Sequence, residues 1–362
     1  MGNINKLRVN LLCILKVVFF SFIIFVPFLV SEIYVRLFIP QRIMPRFVES
    51  APWGIRKNLP NVDGIHNTPE FKYRIRTNSQ GFRGTREYIP VPPEGIYRII
   101  VMGDSVSLGY GVKEEETYAA SLEKLLREEN INAEVVNMSI SGFGTAEEII
   151  QFQHVGKNYH PNLVILGYFT NDPLNNIVST IFRIENGDLI KVQQNYQPGI
   201  FIRDRLSAIP FYNFFAQHSH LLNLIREGIS SFILNKYTQK AASEIDKNPE
   251  KHSEYQKELT ILLLDTFIEE VEKSGAYLLI IDIPDKSLEP NMPREIKLNA
   301  KAKIIDIVEP FRQAKENNIN IFYEIDGHPT AKGHEIIAKE IQKNINVFLQ
   351  LNNTDTLTIF PQ

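Results

Sequence analysis

The sequence predicts an α/β fold, a doubly wound parallel sheet with a cap-like insertion and an N-terminal membrane helix. From Tyr97 to Phe348, short apolar runs alternate with segments of helical period, as in strands joined by crossover helices. The alternation breaks between Leu174 and about Tyr255, where an insertion fits. An apolar stretch of twenty residues lies near the N-terminus, before this alternating region.

The composition is typical of a globular protein and excludes some partners. Hydrophobic residues make up 44% of the chain and charged residues 22%, so disorder of the whole chain is not expected. The 39 basic residues are balanced by 42 acidic ones, so the basic excess needed to bind a phosphate backbone is missing. We therefore expect no nucleic acid partner. The single cysteine, Cys13, cannot form an internal disulfide or a cysteine-rich zinc site.

The stretch Leu11–Val30 predicts a membrane anchor within residues 1–37. A helix of this length spans about 30 Å, the thickness of the hydrocarbon layer. Lys16 can extend to the headgroups, and Pro27 is tolerated in a lipid-embedded helix. A cleaved signal peptide fits less well because no alanine precedes Ala51. A buried soluble helix would show a polar face, which this stretch lacks.

Charges on the two sides of this span bear on its orientation. Lys6 and Arg8 precede it and favour a cytoplasmic N-terminus, whereas Arg36, Arg42 and Arg46 follow it and weaken that preference. We expect a single-pass membrane protein whose catalytic domain is extracytoplasmic.

Residues 38–95 are rich in proline and predict a stalk that packs on the edge of the main domain. Proline fixes φ and removes a hydrogen-bond donor, so long helices are excluded here. Within this segment, Phe71–Arg76 alternates like a strand and Asn78–Gly81 is typical of a turn.

Residues 96–350 predict the main domain, with the insertion at 175–255. The predicted strands are Arg98–Met102, Ala133–Met138, Leu163–Tyr168, Tyr277–Ile283 and Ile319–Glu324. The predicted helices are Tyr118–Glu129, one from Ala146, Glu258–Lys273, Lys301–Gln313 and Ala331–Phe348.

The insertion carries two local signals. Asn186-Gly187 lies between two strand-like runs and predicts a hairpin. The aromatic run 211–215 either lines a substrate cleft or forms a small core of the cap itself, and its composition favours the second interpretation.

Ser105 is the candidate nucleophile. It follows Gly103-Asp104 at the end of the first predicted strand, and reactive groups of open α/β sheets collect at the carboxyl ends of the strands. A glycine there permits a tight turn that presents the hydroxyl together with a free backbone N–H. Alone, this tripeptide is also compatible with a plain turn.

Two further loops supply candidate oxyanion donors. Gly142 follows the second strand and can offer its N–H, as Ser105 can. A dinucleotide loop is excluded because Glu147 stands where the third glycine would be. Asn171 follows the third strand and can donate from its side chain, although an asparagine there also suits a helix N-cap.

The loop Asp326–His334 supplies the candidate base. His328 can accept the proton of Ser105, and Asp326 can hold the ring in the required tautomer. His334 begins an H-E-x-x-H pattern, but Ala338 replaces the second histidine, so a zinc protease is excluded and His334 is expected to be structural.

These four blocks, in this order, resemble the SGNH (GDSL) hydrolase family. Gly103-Asp104-Ser105 resembles the first block, Gly142 the second, Asn171 the third and His328 the last. The resemblance covers roughly residues 96–174 and 277–345, and the segment 76–83 is similar to the lead-in of membrane-anchored members. It implies a flavodoxin-like three-layer fold and a serine esterase that acts on an O-acyl ester of a small molecule, lipid or glycan, with no metal and no organic cofactor.

One departure and three alternatives accompany this prediction. The family places an aspartate three residues before the histidine, where this chain has Ile325, so Asp326, Glu324 or a backbone carbonyl remain as partners of His328. The first alternative function is an acyltransferase that modifies a cell-surface polysaccharide, which would use the same catalytic residues. A catalytically silent binding module is disfavoured because all four blocks are intact. An α/β-hydrolase is disfavoured because the second glycine of G-x-S-x-G is missing after Ser105.

Overall fold

The computed structural model describes residues 2–197, 199–245 and 249–357. Pro198 and residues 246–248 of the predicted insertion, and Met1 of the predicted anchor, lie outside the described residues. Eleven strands are described, namely β1 (Val48–Ser50), β2 (Arg56–Asn58), β3 (Asp63–Asn67), β4 (Lys72–Arg76), β5 (Tyr97–Gly103), β6 (Ala133–Asn137), β7 (Leu163–Phe169), β8 (Phe182–Glu185), β9 (Asp188–Lys191), β10 (Tyr277–Ile283) and β11 (Ala302–Asp306). The α-helices of the same residues are α1 (Gly2–Phe38), α2 (Ser105–Leu108), α3 (Tyr118–Glu128), α4 (Thr145–His154), α5 (Asp172–Ser179), α6 (Ile200–Ser207), α7 (Tyr212–His218), α8 (His220–Ile245), α9 (Pro249–Lys273), α10 (Val308–Glu316) and α11 (Ala331–Leu357).

Five parallel strands form the central sheet in the order β11-β10-β7-β5-β6. The chain therefore reverses its direction of travel across the sheet beside β5, at a topological switch point where ligands bind in open α/β sheets. Gly103 of β5 pairs with Gly167 of β7, so these two strands end side by side. This arrangement confirms the predicted doubly wound fold.

Alternating side chains of the sheet fill two separate cores. In β5, Ile100 and Met102 join one core and Ile99 and Val101 the other, because successive residues of a strand point to opposite faces. Helices α4 and α9 cover the first face and α3, α10 and α11 cover the second. The three layers are thus helix, sheet and helix.

Two sequence predictions about the last part of the sheet were wrong. The fifth strand is Ala302–Asp306, which was predicted as the start of a helix, and Ile319–Glu324 forms no strand. Ala302–Asp306 is a short edge strand whose apolar residues fit both periods, so only pairing with β10 distinguishes them. In the other segment, Phe322 pairs with Pro329 in one isolated bridge, which closes a loop rather than extending the sheet.

The proline-rich segment forms two antiparallel hairpins, β1–β2 and β3–β4. Phe71, Tyr73, Ile75 and Phe82 are buried in the first core together with side chains of the main domain. The segment from Phe71 to Phe82 is therefore part of the packed structure beside the sheet.

The predicted insertion, residues 175–255, contains the predicted hairpin at Asn186-Gly187, which joins β8 and β9. Both residues have positive φ, as this tight turn requires. The prediction that the aromatic run forms a small core was wrong, because Phe211, Phe214 and Phe215 are 77%, 57% and 54% exposed. Helix α7 packs inward through Ala216 instead.

Helix α1 contains a span, Val18–Phe38, that is long and apolar enough to cross a membrane. Its 21 residues reach a mean hydropathy of 2.2, and very little of it is buried within the protein. A membrane anchor and a signal sequence both have these properties.

Candidate active site

Ser105 lies at the carboxyl end of β5 as the first residue of the short helix α2. Gly103 has φ +146°, and a Cβ there would lie 2.3 Å from Ser107 Oγ and 2.8 Å from Gly167 O. The turn into α2 therefore requires glycine at this position. Asp104 caps the helix, because its Oδ1 accepts the Val106 N–H at 2.8 Å.

His328 lies within hydrogen-bond distance of Ser105. Its Nε2 is 2.8 Å from Ser105 Oγ, although 223 residues separate the two in sequence. The ring of Tyr110 packs on the His328 ring with centroids 4.5 Å apart. The loop that carries His328 is closed by the Tyr323 N–H, which donates to His328 O at 2.9 Å. The Tyr110 side chain thus positions the His328 ring, and the Tyr323 hydrogen bond positions the His328 backbone.

Asp326 is the carboxylate that contacts His328. Its Oδ1 lies 2.5 Å from His328 Nδ1. Gly327 between them has φ +88°, which allows the chain to turn so that a carboxylate only two residues earlier reaches the ring. Of the three partners that the sequence left open for His328, Asp326 is the one that lies within hydrogen-bond distance of the ring.

Two residues from before the main domain contact Asp326. The Arg42 guanidinium forms an ion pair with Asp326 Oδ2 at 3.3 Å, and Glu70 accepts the Asp326 N–H at 2.9 Å. Burial opposes ionisation of Asp326, but the hydrogen bond and charge of His328 and the charge of Arg42 lower its pKa. The side chain is therefore a carboxylate at neutral pH.

The Gly142 loop lies beside the strand end that precedes Ser105. The Ile140 N–H donates to Gly103 O at 3.0 Å. Arg56 fixes the loop from outside, because its Nη2 donates to Gly142 O at 2.5 Å and contacts Glu147 Oε1 at 3.2 Å. Gly142 has φ +76°, which favours glycine.

Asn171 follows β7 and is the N-cap residue of α5 by position, but its side chain makes no capping hydrogen bond. Instead, the Asn171 side chain forms a hydrogen bond with Asp104. Burial raises the pKa of Asp104, and this hydrogen bond acts in the opposite direction. Asn171 Oδ1 is buried without a hydrogen-bond partner in the described part of the chain. The amide is therefore directed toward the Ser105 turn rather than toward its own helix.

The four loops thus meet at one edge of the sheet. The family model described as GDSL-like Lipase/Acylhydrolase matches residues 99–341, which include all five candidate residues. The chain belongs to this family. It is a GDSL-type esterase or acylhydrolase, a serine hydrolase that acts on ester bonds.

Solved structures similar to this GDSL hydrolase include several esterases. TesA is 14% identical over 69% of this chain and 99% of its own, with a TM-score of 0.34. The psychrotrophic esterase EstA from Pseudoalteromonas sp. is 14% identical over 70% and 99%, with a TM-score of 0.36. A two-domain esterase active on acetylated mannans is 11% identical over 70% of this chain and 49% of its own, with a TM-score of 0.41. No curated protein matches the sequence. Family membership rests on the match over residues 99–341.

Sequence reasoning missed a cluster of buried carboxyl groups beneath the site of this hydrolase. Asp104, Glu147, Glu148 and Asp172 are all fully buried. Burial, followed by the charges of Asp104 and Glu147, raises the pKa of Glu148 well above its usual value. Both Glu148 oxygens lack a hydrogen-bond partner among the described residues. A buried carboxyl in this environment favours its protonated form.

His334, which the sequence predicted to be structural, packs between α11 and α3 and does not contact Ser105. It is fully buried, its Nδ1 accepts the Tyr118 N–H at 3.3 Å, and its ring stacks on Tyr118 with centroids 5.8 Å apart. Burial lowers the pKa of His334 to about 3, so the ring is neutral. It joins α11 to α3 on the second face of the sheet.

A cavity of about 490 Å³ adjoins the back of the site. It is lined by Tyr110 and Asp326 and by residues of the predicted insertion. The latter include polar side chains of α8 at positions 223, 226, 227 and 230. Their spacing of three and four residues places them on one face of the helix.

Proposed function

We propose that this hydrolase cleaves an O-acyl ester of a glycan or lipid through an acyl-enzyme on Ser105. The observation that carries the proposal is the 2.8 Å approach of Ser105 Oγ to His328 Nε2, with Asp326 on the opposite ring nitrogen. This arrangement supports nucleophilic catalysis in which a base removes the serine proton as the oxygen attacks.

In the proposed first step, Ser105 Oγ bonds to the ester carbonyl carbon while its proton moves to His328 Nε2. Asp326 stabilises the resulting imidazolium through Nδ1. The imidazolium then gives its proton to the leaving alcohol as the C–O bond breaks, which leaves the acyl group on Ser105. Water attacks the acyl-enzyme with His328 again as the base, and this releases the acid and restores Ser105.

We assign the oxyanion hole to the N–H groups of Ser105 and Gly142 and to the side-chain amide of Asn171. Neither N–H makes a hydrogen bond to another described residue, so both are free to donate. Because the donors are fixed by Gly103, Arg56 and the end of β7, they require little reorganisation when negative charge develops.

We further propose that α1 anchors the protein as a single-pass helix with the catalytic domain outside the cytoplasm. The span Val18–Phe38 supports the anchoring. Lys6 and Arg8 before it support the orientation, which Arg36, Arg42 and Arg46 oppose. In this arrangement residues 1–37 form the anchor, 38–95 a stalk packed on the hydrolase domain of 96–350, and 175–255 an insertion.

The nucleophile is tested with Ser105→Ala. We expect this variant to lose labelling by a fluorophosphonate probe and turnover of a nitrophenyl ester. The matched control is Ser107→Ala, since Ser107 lies on the same short helix but its hydroxyl bonds Tyr118 instead. Undiminished labelling of Ser105→Ala would reject the assignment. Labelling of intact cells with an impermeant probe tests the sidedness.

A further inference from the structure

Helices α6, α7 and α8 of the insertion expose an unusual amount of apolar surface. Within these helices and the connection between α6 and α7, the large hydrophobic side chains that are about half exposed or more are Ile202, Ile209, Phe211, Phe214, Phe215, Ile225, Ile229, Phe232 and Leu234. A monomer in water rarely exposes so many apolar groups in one short segment, and such a patch marks an interaction surface.

Between Asn223 and Phe232, helix α8 carries exposed apolar side chains on one face and the polar side chains that line the cavity on another. Ile225, Ile229 and Phe232 recur at helical spacing, so they lie on one face, and they are 48%, 55% and 59% exposed. The polar positions 223, 226, 227 and 230 lie on the other side and face the protein's own cavity. A surface helix in water would present the opposite arrangement. The outer face of α8 is therefore suited to an apolar environment.

The last turns of the apolar helix α1 hold these insertion helices. Glu32 accepts the backbone N–H groups of His220 at 3.0 Å and Leu221 at 2.9 Å, which caps the start of α8. Arg36 donates to His218 O at 2.5 Å. Gln41 N–H donates to His220 Nδ1 at 2.8 Å. The junction between α7 and α8 is thus fixed to the end of α1.

The exposed aromatic residues of α7 lie next to this junction. The Phe214 ring stacks on His218 with centroids 4.4 Å apart, and its edge contacts Phe215. Because Arg36 bonds the His218 carbonyl, these rings lie near the end of the membrane span. Aromatic rings at that level fit the boundary between headgroups and acyl chains.

We propose that α7 and α8 form a docking face that lies in the surface of the bilayer that α1 crosses. This inference rests on the proposed anchoring of α1. The bilayer is the occupant because the apolar face continues from an apolar helix to which it is hydrogen bonded. Arg42, four residues after the end of α1, forms an ion pair with Asp326, so the end of α1 is also connected to the active site. The active site is then held near the membrane surface, where lipid or lipid-linked esters are presented.

Tryptophan fluorescence tests the docking face in the full-length protein. Trp53 is the only tryptophan of the sequence, so Trp53→Phe provides the background. Single tryptophans replace Phe214 or Phe232 on the docking face, Phe22 in the span, or Ile89. Ile89 is the matched control because it is 60% exposed but lies by the start of β5, at the opposite end of the sheet from the site.

Each protein is placed in lipid bilayers with and without brominated acyl chains, which quench tryptophan on contact. Because a docked face lies about 5–10 Å into the boundary layer, we expect emission of Phe214→Trp and Phe232→Trp to fall about twofold or more. Ile89→Trp should stay unchanged. Ester turnover of the background protein is measured in parallel and reports on the proposed chemistry alone.

Two outcomes would overturn the inference in distinguishable ways. If Phe22→Trp is quenched but Phe214→Trp and Phe232→Trp are not, α1 is in the bilayer and the docking face is wrong. Blue-shifted but unquenched emission at 214 and 232 would then indicate that a second copy covers the face. If Phe22→Trp is also unquenched, the anchoring itself fails.

Discussion

Replacing Arg56 with methionine should separate the stability of this hydrolase from its catalysis. Arg56 contacts the Glu147 carboxylate at 3.2 Å and the Gly142 carbonyl at 2.5 Å. The Glu147 side chain is fully buried and that of Arg56 is 15% exposed. Removing one partner of a buried ion pair costs about 3–5 kcal/mol, because the remaining charge is left uncompensated. For a chain of 362 residues this loss corresponds to a fall in Tm of roughly 4–7 °C.

The double variant Arg56→Met/Glu147→Gln should recover most of that stability. A glutamine removes the buried charge and keeps an acceptor for the Gly144 N–H, which Glu147 binds at 3.3 Å. Activity should not recover, because Gly142 has still lost the guanidinium that holds its carbonyl. Displacing one oxyanion donor costs about 10²–10³ in kcat. Glu147→Gln alone serves as the control, since it keeps the Arg56–Gly142 bond.

The assays are thermal unfolding in detergent and turnover of a nitrophenyl ester. The stability deficit of Arg56→Met should shrink as the pH is lowered. Burial raises the pKa of Glu147, and the charge and hydrogen bond of Arg56 oppose that rise. Without Arg56 the pKa of the folded state rises further, so the variant gains more stability than the unsubstituted protein as the pH falls. Recovery of both Tm and kcat in the double variant would refute the proposed role of Arg56 in holding Gly142.

Three further predictions concern the site and the carboxyl cluster. Asp326→Asn should lower kcat by about 10⁴ with an unchanged circular dichroism spectrum; the exposed Asp306→Asn is its control, and a loss under tenfold would contradict the role of Asp326. Asn171→Ala should lower kcat by about 10²–10³ with little change in KM, which steady-state kinetics measures; an effect confined to KM would argue against an oxyanion donor. Because burial raises the pKa of Glu148, stability should fall as the pH rises, and Glu148→Gln should reduce the difference in Tm between pH 5 and pH 8. An undiminished difference would show that Glu148 is not the titrating group.

The sequence was sufficient where a feature depends on local order along the chain. Ser105, Gly142 and Asn171 each follow an apolar strand, and parallel strands end at the same edge of a sheet, so their convergence could be expected. The contact of His328 with Ser105 followed from the chemistry that a serine nucleophile requires. Asp326 was harder, because its reach depends on the positive φ of Gly327, which the sequence permits but does not require.

Contacts between segments that are far apart in sequence could not be predicted from the sequence pattern. Glu70 bonds Asp326 across 256 residues and Arg56 bonds Gly142 across 86. Neither residue stands in a recognisable motif, so nothing local distinguishes it from other charged residues of the proline-rich segment. The exposed aromatic rings of α7 were misassigned for a related reason. Composition indicates that Phe214 is apolar but does not indicate what covers it.

The ion pair between Arg42 and Asp326 has a consequence for where the catalytic unit begins. The family match starts at residue 99, yet Arg42, Arg56 and Glu70 all precede it and hold the loops of the site. A shortened protein cut at that boundary would keep Ser105 and His328 but lose the contacts that support the Asp326 and Gly142 loops. We therefore expect the smallest active protein to begin near the C-terminal end of α1, just before Arg42, and truncation experiments should start there.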